Sequence, residues 1–173
     1  APGETLFGSA FITVPGGKGF NQAVAAGRLG TPTQFIGRIG DDAFGKGVLE
    51  LIANEPVDTS GILVDPDSGT GLAVISVDDA AENAIIVISG ANMAHDGLEV
   101  ARTRDALQTA KVLLLQLESP LSSSLAAAQV VRQHHAAAGI EALAAVAGPV
   151  VAVRGAARLA FVPLQRQEGG ALA

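Results

Sequence analysis

The chain has 173 residues, 49% of them apolar and 16% charged, which suits one α/β domain with its own core and argues against wholesale disorder. It contains no cysteine, excluding a disulfide scaffold, thiolate catalysis and cysteine-ligated zinc or iron–sulfur. Lys and Arg total 11 against 17 acidic residues, and the net charge of −6 has no compensating basic cluster, so neither nucleic acid nor an anionic membrane is an expected partner.

No run approaches the roughly 18 unbroken apolar residues of a membrane span. The opening Ala-Pro-Gly-Glu has neither the positive nor the apolar region of a secretory signal, so a soluble cytoplasmic protein is expected. The chain also lacks an initiating Met, as though a segment upstream were missing.

Residues 6–14 (LFGSAFITV) predict a strand between Pro2-Gly3 and Pro15-Gly16-Gly17. FNQAVAAGRLG predicts a helix with Phe20, Ala23, Val24 and Leu29 near helical spacing and Gly30 as its stop. A strand is expected over 34–39. Asp41 is the expected N-cap of a helix reaching about Asn54, with Val48, Leu49 and Ile52 as its buried stripe. Strands at 62–64, 72–77 and 84–89 follow. The last two form an expected hairpin with one solvated side, joined by DDAAEN. A helix over 96–107 carries Arg102, Arg104 and Asp105 outward. Residues 111–117 are the dense apolar run of a strand covered on both faces, and Pro120 opens an Ala-rich helix to about Ala138.

Strands alternating with helices at this spacing predict a doubly wound α/β sheet. The strand at 6–14 and the hairpin at 72–89 break the alternation and are expected in a small antiparallel flap.

The chemistry concentrates in Pro15-Gly16-Gly17-Lys18-Gly19-Phe20-Asn21-Gln22, a glycine-rich loop entering a helix. Glycine lets backbone approach a ligand, and the first helical N–H groups point outward unpaired. Lys18 adds donors, and Asn21 both donor and acceptor, a set suited to a polyhydroxylated ligand. A purely structural turn needing positive φ is the alternative reading, and the outward N–H groups of the helix start favour the ligand. The loop is not a Walker A sequence, since no Ser or Thr follows the Lys, nor a GxGxxG fingerprint. Glu118 directly follows the buried run, where ligands of open α/β sheets bind outside the carboxyl ends of strands. Solvated capping of the next helix explains it equally.

These segments carry a resemblance. PGETLFGSAFITVPGGKGFNQAVAAGRLG, IGRIGDDAFGKGVLELI, VDTSGI, ENAIIVISGAN and LLLQLESPL resemble, in order, the ribokinase-like (PfkB-type) carbohydrate kinases over residues 1 to about 138. The resemblance implies a Rossmann-like doubly wound sheet with helices on both faces and a small antiparallel β-lid that includes 6–14 and 72–89. It also implies transfer of the γ-phosphoryl of ATP to ribose, giving ribose 5-phosphate, with Mg2+ and a monovalent cation such as K+. Gly16, Gly17, Lys18 and Asn21 match the family's sugar-binding loop, and Glu118 the acidic residue that bonds the sugar from a strand end. Glu82, Asn83, Ala91 and Asn92 fall at lid positions, and the lid implies a homodimer.

The departures are specific. The family's first strand with its Asn-x-Asp pair, its Asn-x-x-Glu magnesium motif and its Gly-Ala-Gly-Asp loop with the general base find no counterpart. The reading is therefore a fold truncated at both ends, keeping part of the sugar site without the ATP site or catalytic base. Phe20 is bulky where the family has a small residue, and is expected to crowd the loop. Residues 139–173 contain no Asp, Asn, Ser, Thr or Lys. That tail reads either as a rearranged segment that still packs or as an out-of-frame translation of GC-rich DNA. Alternatives to ribose are another sugar, a sugar phosphate or a nucleoside. A non-catalytic sugar-binding or dimerisation remnant is a further reading.

Other polar residues have simpler expected roles. His134 and His135 point about 100° apart on a helix, poor geometry for one metal. His95, Asp42 and Ser122-Ser123-Ser124 are expected at the surface, and Asp78-Asp79 in a turn.

Overall fold

The computed structural model describes residues 3, 5, 7–94, 96–138, 142–145 and 150–154, with side chains as far as residue 133. Its elements run α1 (Lys18–Arg28), β1 (Thr33–Gly40), α2 (Ala43–Ile52), β2 (Val57–Asp65), β3 (Leu72–Val77), β4 (Asn83–Ile88), a 3-10 turn (Gly90–Met93), α3 (Leu98–Ala106), β5 (Ala110–Leu115), α4 (Leu121–Ala138), β6 (Ala142–Ala145) and β7 (Val150–Arg154).

Five strands form one sheet in the order β2-β1-β7-β5-β6, and β3 and β4 form a separate hairpin. β1 runs parallel to β2 and β5 parallel to β6, while β7 is antiparallel to both β1 and β5. β1 and β5 therefore point the same way and end on the same edge of the sheet.

Period-two alternation builds a core on each face. Phe35, Val112 and Leu114 face one side and pack with Phe20 and Ala23 of α1 and Ile52 of α2. Ile36, Leu113 and Leu115 face the other and pack with Ala106 and Leu107 at the end of α3 and Ala127, Val130 and Val131 of α4. A strand covered on both faces reads as an unbroken apolar run, which is what 112–115 shows.

α1 closes as a Schellman motif. Gly30 sits at φ 82 and donates to Gly27 O at 2.8 Å, and Thr31 N donates to Ala26 O at 3.1 Å.

Several expectations require correction. Residues 7–14 form no strand: Phe7, Phe11, Ile12 and Val14 are exposed, and no described strand pairs with them to supply a ladder. The hairpin is solvated on both sides, not one. Val74 and Ile86 stand on one face and Ile75 and Ile85 on the other, all exposed. Its turn is as expected, with Asp78 Oδ1 accepting from Ala80 N at 2.9 Å and Glu82 N at 3.0 Å. β2 is longer than the strand expected at 62–64, because residues 57–58 and 61–65 pair with β1 on either side of a register shift.

The N-cap of α2 is Asp42, not Asp41; its Oδ1 accepts from Gly45 N at 2.8 Å. Asp41 instead pairs with Lys46 at 3.4 Å. Ser124 is buried beside Ser119 rather than exposed. Phe20 does not crowd the glycine loop; it is buried edge-to-face on Phe35 with ring centroids 6.1 Å apart. His95 and the side chains of His134 and His135 lie outside the described residues.

Candidate functional site

The glycine loop meets the end of β5. Gly17 is the N-cap of α1 at φ 101, a conformation that a Cβ disfavours, and it offers no side-chain cap to the first helical turn. Asn21 N is the first amide to bond back, to Gly17 O at 2.9 Å. Gly16, by contrast, has open space where a Cβ would stand.

Lys18 opens α1, and Glu118 lies three residues beyond the end of β5. The Lys18 ammonium donates to Glu118 Oε1 across 100 positions of sequence. Side chains of the pair are 55% and 41% exposed, so the contact sits at the surface and is open to a ligand. Behind it the Gln116 side-chain amide donates to Gln22 Oε1, and Gln116 is fully buried.

Four of the five residues singled out from sequence thus lie at one place: Gly16 and Gly17 in the loop, Lys18 at the helix start, Glu118 at the strand end. Asn21, exposed and one turn along α1 from Lys18, is the fifth. It lines an open groove of about 540 Å³ between α1 and α2, with Phe20, Val24, Arg28, Leu51 and Glu55. There Arg28 Nε donates to Glu55 Oε2 at 2.7 Å, and this bond holds the Glu55 carboxyl below its ordinary range.

A second polar assembly escaped the sequence reading. Arg38, on β1, is almost wholly buried and donates to Glu99 at 2.6 Å, Asp96 at 2.8 Å and Asp65 at 3.0 Å. The bond from Arg38, with backbone N–H groups of Asp67 and Ser68, lowers the Asp65 pKa. The signal was present: an arginine inside an apolar strand must find partners, since a buried unpaired charge costs several kcal/mol, about 3–5 when one partner is removed.

Asp42 was also missed. Its carboxylate accepts from Thr70 Oγ1 at 2.7 Å and Thr70 N at 2.7 Å, tying the start of α2 to the loop that leads into β3.

Among the described residues no group of three His, Asp or Glu side chains is placed to hold a metal ion. No described helix is long and apolar enough to cross a membrane.

An open sheet with helices on both faces, and a glycine loop meeting a carboxylate beyond a strand end, make this an α/β domain of the doubly wound kind. Residues 2–159 match the family described as pfkB family carbohydrate kinase, and the chain belongs to that family. It is 41% identical over 133 residues to a ribokinase of Haemophilus influenzae, covering 77% of this chain and 44% of the relative. A mouse ribokinase is 33% identical over 131 residues, 76% of this chain and 41% of the relative. The structure of Arabidopsis thaliana ribokinase complexed with ribose and ATP superposes at a TM-score of 0.65 with 32% identity, covering 77% of this chain and 44% of that one. The chain thus spans less than half the length of the relatives it matches.

Proposed function

We propose that the chain is the sugar-binding part of a cytoplasmic ATP-dependent carbohydrate kinase acting on ribose, with Gly16, Gly17, Lys18, Asn21 and Glu118 contributing to the sugar site. The observation that carries this reading is the Lys18–Glu118 contact at the carboxyl edge of the sheet. A sugar hydroxyl both donates and accepts. A carboxylate that only accepts and an ammonium that only donates satisfy the two halves of that demand. Because the pair is half exposed, it contributes little to stability and opens at small cost when hydroxyls replace each partner.

Phosphoryl transfer from ATP is chiefly positioning and charge stabilisation, to which Mg2+ would contribute, with a general base taking the acceptor hydroxyl's proton. On our reading this chain presents the acceptor sugar, has no general base of its own and does not turn over alone. The β3–β4 hairpin serves as the lid and as the face of a homodimer. On our reading residues 139–173 hold none of the site, and a Gly-Ala-Gly-Asp string in another frame of the flanking DNA would mark them as an out-of-frame translation rather than a rearranged segment that packs.

The test is calorimetry with ribose. Wild-type protein releases binding heat, and Lys18→Met weakens the affinity about tenfold or more, in line with ~1–3 kcal/mol for an unpaired polar group in a closed site. Equal heats from the two proteins refute the assignment. Turnover of ATP by this chain alone refutes the claim that it has no general base of its own.

A further inference from the structure

The Lys18–Glu118 contact is the outer of two rungs. Lys18 and Gln22 are four apart on α1, so they stand on one helix face about 6 Å apart along the axis. Gln116 and Glu118 are two apart in a chain leaving β5, a span of at most about 7 Å. The spacings match, and both pairs meet: Lys18 with Glu118 and Gln22 with Gln116.

The rungs differ in chemistry. The outer one is ionic and exposed, hence screened and exchangeable. The inner one is a neutral amide pair whose Gln116 half is fully buried, where a hydrogen bond is stronger and free of titration. We propose that Gln22 and Gln116 are positioning residues. Their amide clamp fixes the gap between α1 and the strand end, so that Lys18 and Glu118 stay within reach of one ligand while exchanging their own contact for it. The proposal rests on the reading of Lys18 and Glu118 as the sugar-binding pair, but its test does not need sugar.

A water-soluble carbodiimide activates a carboxylate, which a lysine amine in contact then attacks to form an amide, with release of urea. The yield of the Lys18–Glu118 crosslink, read by peptide mass spectrometry, reports how often the pair meets. The Lys46–Asp41 pair, 3.4 Å apart at the start of α2, is the internal reference. Gln22→Met and Gln116→Met should each lower the Lys18–Glu118 yield about three- to tenfold, the ratio one neutral hydrogen bond supports, with the reference unchanged. The double variant should fall by less than the two single losses combined, because the two share one bond.

Gln22 is only half buried, so Gln22→Met tests the idea even where Gln116→Met fails to fold. Amide hydrogen exchange in β1 and β5 at native levels shows that the sheet is intact. Wild-type yield in Gln22→Met, or additive losses in the double variant, overturns the proposal. A protein that crosslinks as expected but releases no heat with ribose overturns the sugar reading and leaves the coupling of the rungs standing.

Discussion

The carboxylate of Asp42 binds three groups at once: the Thr70 hydroxyl, the Thr70 amide and the Gly45 amide. Those bonds, the hydroxyl foremost, hold its pKa at about 2, below the ordinary 3.8. A depressed carboxylate stabilises the fold fully above its unfolded pKa and loses that contribution as pH falls through the folded value. Stability should therefore drop between about pH 4 and pH 2, with Asp65, Asp96 and Glu55 adding to the slope because each is also held low. Asp42→Asn should be less stable at neutral pH and show a shallower fall through that window, followed by circular dichroism in urea at a series of pH values. Parallel curves for the two proteins refute the assignment. From sequence the cap is expected at Asp41, with Asp42 at the surface. Only the fold brings Thr70 beside the second of them.

At the level of elements, α1 and β5 were legible because each carries its own pattern. The helix shows apolar residues near 3.6 spacing with a glycine stop, and the strand an apolar run short enough to exclude a helix. Leu113, wholly buried between the sheet and the helices α3 and α4, is where that run matters most. Leu113→Ala should cost about 2–5 kcal/mol in urea unfolding. Leu117→Ala, on an exposed side chain two residues past β5, should stay within about 0.5 kcal/mol. Comparable losses would contradict the burial of this face. Residues 7–14 show the limit of such patterns. Their strand propensity is plain, yet a strand exists only through a partner, and none of the described strands lies alongside.

Taken whole, the molecule has one feature its covered sheet does not share. The β3–β4 hairpin is apolar on both faces, with Val74 opposite Ile86 and Ile75 opposite Ile85, and every one of these is about half exposed or more. Exposed apolar faces and unpaired strand edges of this kind mark association surfaces. On the proposed homodimer, sedimentation velocity should show wild-type protein associating with rising concentration. Val74→Lys with Ile86→Lys should be monomeric over the same range. A monomeric wild-type protein would remove the dimer from the reading.

Local pattern was sufficient for the helices, the glycine loop, the Asp78 turn and the two-sided strands, because each depends on residues within a few positions of one another. The meeting of Lys18 with Glu118, of Gln22 with Gln116, and of Arg38 with Asp65, Asp96 and Glu99 could not be read that way. These contacts span 27 to 100 positions, and strand order together with the packing of α1 on β5 selects them. No periodicity along the chain encodes a distance across the sheet.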